Sequence, residues 1–201
     1  MLFRSFRVAG ESGGALRLDG AGAQFELSVP GRHQIRNALA AVAVGSLYGV
    51  SPEDAAAALR EFRAGKMRGE TIEWRGARLV NDCYNSNPQA ALAMLDWLSR
   101  APATGRRAAV LGEMLELGPA AAELHALVGQ HARGLDLLVG VRGLAREIVA
   151  AAGAPLENFV ETPDQAAAIV ERWTRPGDLV LFKASRGVHL ERALEFLAKA
   201  D

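Results

Sequence analysis

From residue 70 onward, short apolar runs alternate with amphipathic stretches, and this rhythm constrains the fold more than any other feature. Runs with strand character fall at 71–74, 78–82, 107–111, 136–140, 157–160 and 178–183. Helical spacing falls between them at 88–99, 119–132, 142–152, 163–173 and 188–199. Strands separated by single helices predict βαβ units, hence an α/β fold whose mainly parallel sheet is covered on both faces. Only Arg75-Gly76-Ala77 separates the first two runs, so they are expected to form an antiparallel hairpin at an edge. In such sheets ligands bind beyond the carboxyl ends of strands. The loops after 82, 111, 140, 160 and 183 are therefore the ones to inspect.

The chain before residue 70 reads differently. Segments 2–9 and 15–29 have strand character broken by Gly10, Gly13, Gly14, Gly20 and Gly22. Residues 33–48 place Ile35, Leu39, Val42 and Leu47 at near-helical spacing, with Gly49 as a stop. Ser51-Pro52-Glu53-Asp54 is a helix start, with a capping Ser, Pro at the first helical position and acids in the first turn. That second helix is expected to run to about Phe62. The connector Ala64–Gly69 marks a domain boundary, giving domains at 1–66 and 67–201.

Composition narrows the function. With 23 basic and 23 acidic residues among 201, the net charge of zero argues against a general polyanion-binding surface, so no nucleic-acid partner is expected. A single cysteine, Cys83, cannot form an internal disulfide. The uncharged stretch Ala38–Val50 is too short to span a bilayer, and MLFRSF lacks a secretion signal's apolar core. The expectation is a cytoplasmic protein without a membrane partner. No His/Cys cluster has metal-ligand spacing, and neither a G-x-x-x-x-G-K-[ST] phosphate loop nor G-x-G-x-x-G occurs.

Four segments carry candidate chemistry. Asn81-Asp82-Cys83-Tyr84-Asn85-Ser86-Asn87-Pro88 follows a strand and opens a helix, and its polar groups suit hydroxyls, amides and a carboxylate. The same residues also describe a capped connection, so both readings stand. Gly112-Glu113-Met114-Leu115-Glu116-Leu117-Gly118 follows another strand, where Glu113 and Glu116 either bind a cation or an amine or are simply solvated. Lys183-Ala184-Ser185-Arg186-Gly187 uses one of only three lysines at a strand end. Two cations, a hydroxyl and free backbone N–H groups there make an anion site. His33 and Asn37, four apart, share one helix face, where an Asn amide suits an adenine edge. His125, His131 and His189 are expected to be structural, and Cys83, with no His near it, is not expected to be a nucleophile.

These motifs in this order resemble the Mur ligase family. The matching text is PGRHQIRNALAAVA, GKMRGE, NDCYNSNP, VLGEMLELG with His125 beyond it, and KASR, covering about residues 30–190. The Asp-x-Tyr-Asn-x-Asn-Pro and Gly-Glu-Met-x-Glu-Leu-Gly loops point to the branch that adds D-Ala-D-Ala to UDP-N-acetylmuramoyl-tripeptide in peptidoglycan synthesis. The resemblance implies a Rossmann-like C-terminal ligase domain, preceded by the last strands and helices of a central ATPase domain. It implies ATP and Mg as cofactors, with the phosphate loop and metal ligands in N-terminal and central parts outside this chain. It also implies activation of the tripeptide carboxylate as an acyl phosphate, and an inactive isolated chain. By resemblance, His33 and Asn37 contact adenine, Arg68 the nucleotide phosphates and Asp82 the ribose. Tyr84, Asn85, Asn87, Lys183, Ser185 and Arg186 receive the dipeptide. No residue of the chain is implied as catalytic, and none as a metal ligand.

Gln34, Asn81, Ser86 and Ala184 depart from the family pattern, the last standing where Gly is usual. A Cβ cannot follow Gly into positive φ without strain, so the anion turn at 184 is expected to differ. Two other readings remain open: a related ligase with another amino acceptor, and a non-catalytic nucleotide-binding module.

Overall fold

A computed structural model describes residues 7–12, 15–20, 23–27, 34–63 and 65–199. The chain divides into two compact units, with the division between Ala64 and Gly65.

The first unit is an antiparallel meander of β1 (Arg7–Ser12), β2 (Ala15–Gly20) and β3 (Ala23–Leu27), followed by α1 (Gln34–Leu47) and α2 (Pro52–Glu61). The expected first strand, 2–9, is described only from residue 7, where β1 begins, and its first part lies outside the described residues. The second predicted stretch, 15–29, folds as two strands, β2 and β3. Phe25 and Leu27 point to one side of β3 and bury against Ala38, Val42 and Ala56 of the helices. Ser51 caps α2, its Oγ accepting the Asp54 N–H at 3.1 Å.

The second unit is a six-stranded sheet in the order β4-β5-β9-β6-β7-β8: β4 (Glu70–Trp74), β5 (Ala77–Asp82), β6 (Arg107–Gly112), β7 (Leu137–Val141), β8 (Phe159–Val160) and β9 (Leu179–Lys183). The β4–β5 hairpin is antiparallel and every other pairing parallel. The helices are α3 (Pro88–Arg100), α4 (Ala121–His131), α5 (Ala145–Ala152), α6 (Pro163–Trp173) and α7 (Glu191–Lys199).

Side-chain alternation along the strands builds two cores. Leu79, Val110, Val139 and Phe182 face α6 and α7, while Val80, Leu111, Leu138 and Leu181 face α3, α4 and α5. Both faces of the central strands are therefore apolar, as parallel strands require. Trp74 closes one core and donates its indole N–H to the Leu197 carbonyl at 3.1 Å, satisfying one of α7's terminal carbonyls.

Three predicted helices start late, each for a local reason. The approach to α4 is a 3₁₀ turn at Gly118–Ala120. Before α5, Arg142 (φ 68°) and Gly143 (φ 51°) are left-handed, which no helix accommodates. Before α7, a 3₁₀ turn at Arg186–Val188 ends on left-handed His189 (φ 55°). The predicted strand at 157–160 shrinks to two residues behind another 3₁₀ turn. No described helix is long and apolar enough to cross a membrane.

Candidate functional site

The parallel sheet changes winding direction around β9. The chain crosses from β5 through α3 to β6, runs outward to β8, and returns to place β9 between β5 and β6. The loops beyond these three carboxyl ends, 83–87, 113–117 and 184–187, are thereby brought together at the position where open α/β sheets bind ligands.

Ser185, buried beneath them, ties the three. Its Oγ accepts the Leu115 N–H at 2.9 Å and donates to the Ser86 carbonyl at 3.2 Å, while its own N–H donates to the Glu113 carbonyl at 3.2 Å. Lys183 is 3% exposed. Its Nζ donates to Asp82 Oδ2 at 2.6 Å and to the Asn85 carbonyl at 3.0 Å, so the lysine pins the 83–87 loop to the end of β9. A buried ammonium is tolerated only with such partners.

Tyr84, Asn85, Leu115, Glu116, Ser185, Arg186 and Gly187 line a cavity of about 330 Å³ above this lattice. Four of the sequence-predicted substrate residues therefore meet: Tyr84, Asn85, Ser185 and Arg186. Lys183 lies below the cavity, and Asn87 is engaged as the cap of α3, its Oδ1 accepting the Ala90 N–H at 2.8 Å.

Arg186 Nη1 donates to Glu191 Oε1 at 2.7 Å and lies 3.3 Å from Met67 Sδ. Its Nε and Nη2 edges have no partner among the described residues. Glu191 had no sequence signal beyond its place five residues on. The interrupted helix start at His189 folds it back under the arginine, and its Oε2 is buried without a partner among the described residues.

Arg68 stacks its guanidinium on the Tyr84 ring, 3.8 Å from the centroid, leaving its in-plane donors exposed to solvent. The turn carrying it is held by left-handed Met67 (φ 61°), by Gly69 N–H on the Asn81 carbonyl at 2.9 Å, and by Glu70, whose Oε2 lies 3.3 Å from both Met67 N and Asn81 Nδ2. In the first unit, Asn37 is exposed on α1 and donates to Gln34 Oε1 at 2.8 Å. His33 lies outside the described residues.

The two glutamates of the 113–117 loop differ. Glu113 Oε1 accepts the Leu144 N–H at 3.1 Å and caps the turn into α5. A Cβ at Gly143 would come within 2.4 Å of that carboxylate, so a side chain there would push Glu113 off its cap. Glu116 is exposed, lines the cavity and has a left-handed backbone (φ 64°). His125 is fully buried and holds the loop from α4: Nε2 accepts the Met114 N–H at 2.8 Å while Nδ1 lies 2.6 Å from the Ala121 carbonyl, which selects the Nδ1–H tautomer.

Two sequence expectations resolve simply. Ala184 is absent from the positive-φ residues, so its Cβ causes no strain. It is buried against Gly112 instead. Cys83 is buried, and its thiol is pushed well above the ordinary value by burial first and by Asp82 and Glu191 second. It donates to the Phe182 carbonyl at 3.4 Å, which suits packing and not nucleophilic attack. Among the described residues no group of three or more His, Cys, Asp or Glu side chains could hold a metal ion.

Known proteins match the same architecture. The family described as "Mur ligase, glutamate ligase domain" matches residues 67–186, over half of the chain. UDP-N-acetylmuramoyl-tripeptide–D-alanyl-D-alanine ligase of Bacillus subtilis (strain 168) is 32% identical over 198 residues, covering 94% of this chain and 43% of that protein. The enzyme of the same name from Mycobacterium tuberculosis (strain H37Rv) is 36% identical over 207 residues, covering 90% of this chain and 41% of its own. The crystal structure of MurF ligase from Thermotoga maritima in complex with ADP superposes with a TM-score of 0.76 at 26% identity, covering 99% of this chain and 47% of that one. The chain thus spans less than half the length of these relatives. The matched region takes in the β-strand ends that build the cavity, from Met67 to Arg186, and on that match the chain belongs to the Mur ligase family.

Proposed function

We propose that this chain is the acceptor-binding part of a cytoplasmic ATP-dependent ligase that adds D-Ala-D-Ala to UDP-N-acetylmuramoyl-tripeptide in peptidoglycan synthesis. The observation that carries the reading is the cavity of about 330 Å³ at the ends of β5, β6 and β9, with Arg186 on its wall. That volume lies at the small end of the ligand-cavity range of about 300–1,000 Å³, which suits a dipeptide better than a nucleotide.

In this reading the free Nε and Nη2 edges of Arg186 take the dipeptide carboxylate as a two-pronged pair. Tyr84 and Asn85 border its backbone, while Ser185, Lys183 and Asn87 hold the loop that presents them. Arg68 fits a phosphate: its charge is oriented by Tyr84 and its donors face solvent. Asp82 offers Lys183 one oxygen and has the other for a ribose hydroxyl. His33 and Asn37 are assigned to the adenine by family resemblance. ATP, when bound, supplies the activation of the tripeptide's terminal carboxylate. By family resemblance, the magnesium ligands are assigned to the parts of the ligase that this chain does not include. The chain's share is positioning and charge neutralisation, which convert a bimolecular encounter into an oriented one.

The test is phosphate release by the purified protein with and without the phosphate-loop-bearing N-terminal and central parts of the ligase. Release is expected only when those parts, the UDP-linked tripeptide and D-Ala-D-Ala are all present. Arg68→Ala should lower kcat/KM roughly ten- to hundredfold, the size of a lost charge-assisted contact. Turnover by the 201-residue chain alone, or preference for glutamate or diaminopimelate as acceptor, would overturn the reading.

A further inference from the structure

We propose that Glu116 reads the ammonium end of the incoming acceptor, so that the cavity selects zwitterions through a fixed pair, Glu116 for the amine and Arg186 for the carboxylate. This rests on the acceptor-binding reading and assigns it a specificity residue.

Three observations converge on Glu116. It lines the same cavity as Arg186, on the loop that Ser185 ties to β9. Its carboxylate makes no hydrogen bond or ion pair among the described residues, whereas Glu113 is consumed by the turn into α5 and Glu191 by Arg186. Its backbone is left-handed at φ 64°, a conformation that Glu occupies at a cost and that Asn or Gly would adopt more readily. Strain of this kind persists where the surrounding structure imposes it. Here the two residues leading into the strained position are clamped, Leu115 by Ser185 and Met114 by His125.

The chemistry is complementary. An ammonium presents three donors and no acceptor, so it requires a carboxylate or carbonyl partner. The cavity wall offers one unengaged carboxylate and one guanidinium with unengaged edges. A ligand with no charged group would leave both of these charges unmatched and one with anionic groups only would leave Glu116 unmatched, and selection by unpaired charge is strong.

The experiment is an NMR titration of the isotope-labelled protein with D-Ala-D-Ala, its N-acetyl derivative and its C-terminal amide, alongside D-Ala, glycine and L-glutamate. The wild type is expected to bind free D-Ala-D-Ala and to bind either blocked form at least about tenfold more weakly. Glu116→Gln should weaken the free dipeptide about tenfold, as loss of one charge-assisted contact requires, and leave the N-acetyl derivative unchanged. Glu116→Asn should raise the unfolding temperature, because Asn tolerates the left-handed backbone, while losing the same affinity. Undiminished dipeptide binding by Glu116→Gln, or equal weakening of the free and acetylated forms, would sink the inference. So would binding of no zwitterion at all by the wild type. If a different zwitterion is preferred and shows the same dependence on Glu116, the inference stands and D-Ala-D-Ala as acceptor falls.

Discussion

Asp178 anchors the end of the sheet opposite the cavity. It is 2% exposed, and its two oxygens accept the Arg106 backbone N–H and the Arg175 backbone N–H at 2.8 Å and the Arg106 guanidinium at 2.7 Å. Burial works to raise its pKa, but the hydrogen bonds from Arg106 and Arg175 outweigh it and hold the carboxyl below its ordinary 3.8. A depressed folded value means that this stabilisation is complete above pH 4 and is lost as pH falls through the folded value. Asp178→Asn should therefore cost about 2–3 kcal/mol at pH 7 in urea unfolding, and the variant's stability should fall less steeply below pH 4 than the wild type's. Arg106 also lies 3.8 Å over the Trp173 ring, and its own pKa is raised, chiefly by the hydrogen bond to Asp178. Neither residue attracts notice in the linear text, because an isolated Asp after Pro-Gly reads as an ordinary turn. The clamp exists only once β6 and β9 lie side by side.

The end of β6 packs closely against the turn after β9. A Cβ built on Gly112 would lie 2.5 Å from the Ala184 Cβ and 3.1 Å from Val188 Cγ1. The methyl at 184 thus occupies space that only glycine at 112 leaves open. Gly112→Ala should destabilise by about 1–3 kcal/mol, the usual cost of overpacking a core. In a double-mutant cycle, Ala184→Gly should recover much of that loss, although alone it removes a buried methyl. Additive effects would show that the two positions do not share the space. The loop after β6 could be marked for inspection from the sequence because it follows a strand. The division of labour between its glutamates was not, since Glu113 is diverted by a turn that lies thirty residues further along the chain.

The second unit carries a complete core of its own: two large clusters of buried side chains enclose its six-stranded sheet on both faces. A sheet covered on both sides within one compact unit needs nothing outside that unit to bury its apolar surface. Residues 65–201 produced alone should therefore unfold cooperatively with the native sheet intact. A circular dichroism melt of that fragment checks this, and a broad, non-cooperative loss of signal would refute it.

Local rules were enough to write the element order, the edge hairpin, the α3 and α6 boundaries and the loops worth inspecting. Strand and helix periods, caps such as Ser51 and Asn87, and prolines at helix starts all act within a few residues. The family motifs added identity at the same range. What lay beyond that range was which polar side chains remain available to a ligand. Lys183, Ser185, Asn87 and Glu113 are polar or charged as Arg186 and Glu116 are, yet the first four are committed to hydrogen bonds that hold the loops. Those partners come from strands and turns brought together by the sheet. A donor's availability is what remains after its neighbours in space have bonded to it, and only the folded arrangement specifies those neighbours.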